Sequence, residues 1–251
     1  MSNDILYENE RIDEVNDRLR LIQKTNGLTF GTDALLLAAF IGTKGENALE
    51  LGGGSGIISM LLSARERFSH ITCVEVQKDF ALLIERNIAL NRLENRLRAV
   101  HADIRCLDAL GELGCYDAVF SNPPYMTSSS GYPCLDQAKN IARHELFGGI
   151  TDFAECAAKM LRYGGSFYTV YRADRLCDLL TALRNFHMEP KRMTFVHART
   201  DLPPSRVLTE ARLGGKCGLK VSRPLILSDG GQNTKDYEYL LANGILPKDF
   251  Y

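Results

Sequence analysis

The sequence predicts an α/β fold with a doubly wound, mainly parallel sheet, and three observations lead there. From Ala48 onward, short apolar runs alternate with helical stretches, the pattern of strands paired in parallel through right-handed crossovers. The first run ends in the glycine-rich turn Gly52-Gly53-Gly54-Ser55-Gly56, where a ligand can approach the backbone closely. A later run, Asp117-Ala118-Val119-Phe120-Ser121, stops at Asn122-Pro123-Pro124-Tyr125, because two prolines cannot donate to a sheet ladder. Ligands of such sheets sit beyond the carboxyl ends of the strands, so both turns fall where a site is expected.

The 251 residues suffice for one large domain with a substantial core. Apolar and charged fractions are ordinary for a globular protein, which argues against disorder. A formal net charge of -1 makes no global case for a nucleic-acid partner, so any such case is local. Seven cysteines (Cys73, Cys106, Cys115, Cys134, Cys156, Cys177, Cys217) lie at least nine residues apart, too far for a zinc knuckle or a CxxC pair between neighbours. No metal is expected, and a reducing, cytoplasmic setting is. The start, Met1-Ser2-Asn3-Asp4, is unlike a signal peptide, and no apolar run reaches membrane-spanning length.

Taken in order, residues 1–28 read as a polar N-terminal extension in which Leu19-Arg20-Leu21-Ile22-Gln23 can pair as an edge strand. Residues 29–251 form the main domain. It opens on a buried helix ending near Phe40, which Thr32 or Asp33 is placed to cap. Strands are expected at 48–51, 71–76, 97–101, 118–121 and 166–170, with helices running through Leu62, across Phe80 to Leu90 and around Phe153 to Leu161. Residues 126–149 are longer than an ordinary connection and are expected to shape an acceptor pocket. There Arg143 is a candidate substrate residue that can contact phosphate or pack the loop, while His144 reads as structural. Residues 191–223 carry a local charge of +6. Within them Val207 to Ala211 reads as a strand and Leu213 to Gly218 as a mobile basic loop, with Lys216 and Lys220 as candidate contacts to a phosphate backbone.

The chemistry gathers at four successive strand ends. Gly52, Gly54 and Gly56 follow the acidic Glu50; a dinucleotide fingerprint would need its third glycine at position 57, which is Ile57. Glu75 ends the second strand near the roughly 20-residue separation at which a carboxylate meets a pair of ribose hydroxyls. Asp103 follows the third strand, where its oxygens can accept from an adenine amine. The fourth offers the Asn122 amide, the Pro123 carbonyl and the Tyr125 ring. Two acceptors beside a stacking surface suit a planar base bearing an exocyclic amine, with Pro124 and Tyr125 on the substrate side. Together these ends predict a nucleoside-containing cofactor.

The motif set E-x-G-x-G-x-G over Glu50 to Gly56, the acids Glu75 and Asp103, and Asn122-Pro123-Pro124-Tyr125 resembles the class I S-adenosylmethionine-dependent methyltransferases that act on exocyclic or amide nitrogen. The resemblance implies a Rossmann-like mixed sheet of seven strands, the last antiparallel. It also implies S-adenosyl-L-methionine as cofactor, its methionine part against Gly52, Gly54 and Gly56, its ribose on Glu75 and its adenine on Asp103, with Glu50 and Asn122 also in the cofactor-binding set. Nearly the whole chain is similar to the bacterial tRNA(Val) adenine-37 N6-methyltransferase family. Asn9 to Glu14, Phe30 to Leu36, Ala142 to Glu145 and Arg206 to Arg212 carry that likeness.

An adenine amine is a weak nucleophile, its lone pair delocalised into the ring, so the expected work of the protein is positioning. Asn122 and Pro123 accept the two N–H bonds and stabilise the charge that develops on nitrogen, and Tyr125 stacks on an unpaired or flipped base. Methylation of a protein glutamine amide, or of guanine N2 in RNA, uses a similarly planar amine. Glutamine enzymes resemble this chain in the sheet but carry a larger helical N-terminal domain, and the basic C-terminal region suits RNA better. A non-catalytic cofactor- or RNA-binding module has no need of the Asn122 to Tyr125 acceptors. Oligomeric state is not legible.

Overall fold

The computed structural model describes residues 6–25, 31–124 and 148–250. The expectations placed on Tyr125, Arg143, His144 and the rest of residues 126–147 lie outside the described residues. A two-stranded ribbon, β1 (Glu10–Asn16) and β2 (Leu19–Lys24), precedes α1 (Thr32–Phe40). Then follow β3 (Gly45–Leu51), α2 (Ile57–Ala64), β4 (Phe68–Glu75), α3 (Lys78–Leu90), β5 (Leu97–His101) and β6 (Tyr116–Ser121). The second half holds α4 (Ile150–Met160), β7 (Leu161–Arg172), α5 (Leu176–Asn185), β8 (Met188–Arg199) and β9 (Arg206–Leu213). Three short strands, β10 (Lys220–Val221), β11 (Leu225–Asp229) and β12 (Gln232–Asn233), precede α6 (Lys235–Asn243).

The main sheet has the order β12-β11-β8-β9-β7-β6-β3-β4-β5, with β10 paired to β8. Strands β5, β4, β3, β6 and β7 are parallel, while β9 runs antiparallel between β7 and β8. Those seven strands form the expected mixed sheet, and the three short ones extend it to ten beyond β8. Central strands read as continuous apolar runs because both faces are covered. Ala48, Ala118, Phe120 and Val170 pack with α1, α2, α3 and α6 on one side. Their neighbours Leu49, Leu51, Val119 and Phe167 pack with α4 and α5 on the other.

Two expectations change. The Leu19 to Gln23 strand joins β1 in a separate ribbon and not the main sheet. Leu21 and Ile22 are fully buried, and the ribbon lies against α3 through side-chain amides described below. At the start of α1, Gly31 occupies the N-cap with no side-chain cap. Asp33 instead pairs with Arg206 at 2.9 Å, tying the helix to the beginning of β9.

The basic region also reads differently in three dimensions. Much of it is sheet, and four of its arginines are in ion pairs: Arg192 with Glu210, Arg199 with Asp201, Arg206 with Asp33 and Arg223 with Asp236. The Arg192 pair is largely buried. Its Nε lies 3.0 Å from Glu210 Oε2, a terminal N–H donates to the Phe40 carbonyl at 2.7 Å, and the guanidinium stacks 4.2 Å over the Phe40 ring. Truncating one partner strands a charge in a poorly hydrated site, so Glu210→Ala is expected to cost about 3 kcal/mol in urea unfolding. A cost below that of an exposed pair would show that water still reaches Arg192.

Candidate active site

The parallel strands all end at one edge of the sheet, and their register brings the chemistry-bearing residues level. Leu51 is paired with Val74 on one side and Ser121 on the other, and Glu75 with His101. Gly52, Glu75 and Asn122 therefore leave adjacent strands side by side. Three hydrogen bonds secure this: Gly52 and Gly53 both donate their N–H to the Val74 carbonyl at 2.9 and 3.0 Å, and Ser121 Oγ donates to the Leu51 carbonyl at 2.8 Å. Ser121 carried no signal in the sequence, since a serine at a strand end has many ordinary explanations.

The alternating glycines have a conformational cause. Gly52, Gly54 and Gly56 have φ of +72°, +56° and +79°, the left-handed region that a side chain disfavours. A Cβ on Gly54 would meet nothing within 4 Å, so the loop there faces open space. At Gly56 it would press 3.2 Å from Ile84 and Met60, so that position is closed by packing. A Cβ on Gly52 would lie 3.5 Å from the Phe153 ring of α4, which puts an aromatic wall beside the turn.

Glu75 is buried, and its carboxylate is held from both sides: Oε2 accepts from Gly54 N–H at 3.0 Å and Oε1 from Gln77 N–H at 2.9 Å. Each carboxylate oxygen can accept two hydrogen bonds, so each keeps one lone pair for a hydroxyl of a ligand. His101 Nε2 lies 3.0 Å from the Val76 carbonyl and links the neighbouring strand ends.

Asp103 lies two residues past β5 and is engaged by Arg105, which donates to it from its backbone N–H and from Nε, each at 2.9 Å. The Arg105 side-chain hydrogen bonds hold the Asp103 carboxyl below its usual range. Any amine bound here shares that carboxylate with Arg105.

Glu50 is placed differently from the other acids. It is 1% exposed, and its Oε2 accepts from both the backbone N–H (3.2 Å) and the hydroxyl of Ser59 in α2. The carboxyl thus braces the turn from the α2 side. Burial pushes its pKa up to about 8 against the ordinary 4.5, with the Ser59 hydrogen bonds opposing the rise. Between those values the folded chain keeps a proton that the unfolded chain has released. Stability is accordingly expected to fall as pH rises from about 4.5 to about 8 and to level off above. The slope is at most about 1.4 kcal/mol per pH unit. Denaturation of the unaltered chain and Glu50→Gln across that range measures it: the variant should lose this slope, and parallel curves would show Glu50 already ionised.

Pro123 is buried and Pro124 exposed at the end of β6. Lys216 and Lys220 are not brought to this edge. Arg206 of β9 pairs with Arg172 at the end of β7, whereas Arg212 pairs with Ser166 nearer its start. The loop after Leu213 therefore emerges at the opposite edge, where Lys191 Nζ donates to the Lys216 carbonyl at 2.9 Å. Lys220 pairs in register with Arg192 in the first half of β8. Among the described residues no group of three His, Cys, Asp or Glu side chains is placed to hold a metal ion, and no helix is long and apolar enough to cross a membrane.

A family model described as "Methyltransferase small domain" matches residues 25–187, which include Gly52, Glu75, Asp103 and Asn122. The chain belongs to that family. Among relatives, the methyltransferase is 31% identical over 179 residues to a protein of Phocaeicola vulgatus named tRNA1(Val) (adenine(37)-N6)-methyltransferase, covering 71% of this chain and 74% of that one. A protein of the same name from Trichodesmium erythraeum is 26% identical over 225 residues, covering 88% and 90%. Among solved structures, one described as a predicted O-methyltransferase from Agrobacterium tumefaciens superposes with a TM-score of 0.71 at 21% identity, covering 86% of this chain and 98% of that one. TYW2 of M. jannaschii in complex with AdoMet gives a TM-score of 0.56 at 17% identity, covering 82% and 88%. At such identities the likeness speaks for the fold, that of the class I methyltransferases.

Proposed function

We propose that this methyltransferase transfers a methyl group from S-adenosyl-L-methionine to the exocyclic N6 amine of an adenine in tRNA. The observation that carries the reading is the level placement of Asn122 beside Gly52 and Glu75, secured by the Ser121 to Leu51 hydrogen bond. It sets an amine acceptor loop next to a nucleoside cradle. The residues present fit the cofactor: the left-handed turn at Gly54 opens onto free space, and Glu75 keeps a lone pair on each oxygen for a vicinal diol. In this reading Gly52, Gly54 and Gly56 hold the amino-acid portion, Glu75 the ribose and Asp103 the adenine, while Glu50 supports the turn. When bound, S-adenosylmethionine supplies a methyl group already activated by its sulfonium.

The chain's own part is to orient the amine. The Asn122 side-chain oxygen and the Pro123 carbonyl accept its two N–H bonds, fix its plane and stabilise the positive charge that builds on nitrogen. In this reading Tyr125 stacks on the base, and Pro124, Arg143 and residues 126–149 serve to bind the acceptor. Such a base enters only when unpaired or flipped out. Lys216 and Lys220, at the opposite edge of the sheet, serve a tRNA only as contacts to its backbone away from the methylated base. Residues 29–251 act as the methyltransferase domain, with 1–28 as an N-terminal extension and 191–223 as the basic region, and the reaction belongs in the cytoplasm.

The names of the relatives support the acceptor. The experiment is direct: incubate the protein with labelled cofactor and total bacterial tRNA, then digest to nucleosides. N6-methyladenosine is the expected product. Label confined to protein would move the acceptor to a glutamine amide, and labelled N2-methylguanosine would move it to guanine.

A further inference from the structure

The glycine turn is held by α3, and α3 is also what holds the N-terminal ribbon. One residue does both. Asn87 is fully buried. Its Oδ1 accepts from Ile22 N–H at 2.7 Å, and its Nδ2 donates to the Ile22 carbonyl and to the Ser55 carbonyl, both at 3.1 Å. Ser55 lies between the left-handed Gly54 and Gly56, and a Cβ on Gly53 or Gly56 would press against Ile84, one turn before Asn87 on the same helix. Position 91, one further turn along, carries a second asparagine with a narrower reach. Asn91 Oδ1 accepts from Arg20 N–H at 3.0 Å and its Nδ2 donates to the Arg20 carbonyl at 2.7 Å, clamping β2 as Asn87 does. Its Nδ2 also donates to the Asn87 carbonyl at 2.8 Å and reaches the Met60 thioether Sδ at 3.9 Å, neither of them in the turn.

We propose that Asn87 is a positioning residue that couples the N-terminal ribbon to the cofactor turn, so that the ribbon is part of what sets cofactor affinity. The inference rests on the crevice being an S-adenosylmethionine site. Ser55 sits in a segment whose backbone must stay in a disfavoured conformation, and its carbonyl is anchored by a side chain whose other two hydrogen bonds are to β2. Loosening β2 frees the Asn87 amide to rotate, which releases the Ser55 carbonyl and with it the shape of the turn. By reciprocity, a ligand that fixes the turn must tighten the ribbon.

The two asparagines separate coupling from mere stability. Asn87→Ala and Asn91→Ala each remove a clamp on β2, and both are expected to lower the melting temperature. Calorimetric titration with S-adenosylhomocysteine should show affinity reduced about tenfold in Asn87→Ala, the effect of one carbonyl left without its donor, and by a smaller factor in Asn91→Ala, which loosens β2 but leaves the bond to Ser55 in place. Affinity retained in Asn87→Ala, or a loss there no greater than in Asn91→Ala, would overturn the coupling. Hydrogen exchange on the unaltered chain tests the same link without a variant: ligand addition should slow exchange at the Ile22 amide, and unchanged exchange there counts against the proposal. Failure of the unaltered chain to bind S-adenosylhomocysteine at all would instead sink the cofactor reading, and the coupling with it.

Discussion

Asn122→Ala is expected to lower the turnover rate by about 10²- to 10³-fold, the usual loss when one preorganised group that meets developing charge is removed. Cofactor affinity should survive, because the turn and Glu75 are held by bonds that do not involve the Asn122 side chain: Gly52 and Gly53 to Val74, and Gly54 to Glu75. The fold should survive as well, since Ser121 ties the end of β6 to β3. Asn122→Asp sharpens the test. It keeps an acceptor oxygen and loses the amide donor, so if acceptance is the role, Asp should retain far more activity than Ala. Single-turnover kinetics with cofactor saturating would measure both. An Asn122→Ala protein that turns over normally would remove this residue from the chemistry.

Glu75→Ala should weaken cofactor binding by about two orders of magnitude. Two hydroxyls hydrogen-bonded to one carboxylate account for that much, since bonds to a charged group are each worth about 1.5–3 kcal/mol. The same substitution leaves Gly54 N–H and Gln77 N–H without their acceptor, so a lower melting temperature should accompany the loss. Glu75→Gln separates the two effects. It preserves the side chain's bulk, but its NH2 must face one of those N–H groups, so binding should fall between that of the unaltered chain and Ala. Calorimetry with S-adenosylhomocysteine reads the affinity directly. Retention of full affinity in Glu75→Ala would mean that the ribose lies elsewhere.

Much of the fold could be read from the sequence because it was written in local signals. Ala48 to Leu51, Glu50 apart, and Ala118 to Phe120 are apolar because their strands are covered on both faces. The glycines at 52, 54 and 56 are visible because positive φ leaves few alternatives. Other features left no such trace. Glu50 and Glu75 are equally acidic in the sequence, yet one is turned into α2 against Ser59 and the other is held between two backbone N–H groups at the crevice. Lys216 reads in the sequence as a phosphate-backbone contact without a place, and the antiparallel course of β9 carries its loop to the far edge. The local charge of +6 shrank once Asp33 and Asp236, remote in sequence, came to pair with Arg206 and Arg223.

By itself the sequence determined which residue types stand at the strand ends, and hence the chemistry available: a glycine turn, two acids and an amide followed by two prolines. Those follow from backbone conformation and side-chain identity, which are properties of short stretches. Only the tertiary structure decided which of these groups share one edge of the sheet, which charges are neutralised, and that the N-terminal ribbon touches the glycine turn through Asn87. Such facts depend on strand order and register, and those are set by packing between segments that the chain separates by tens of residues.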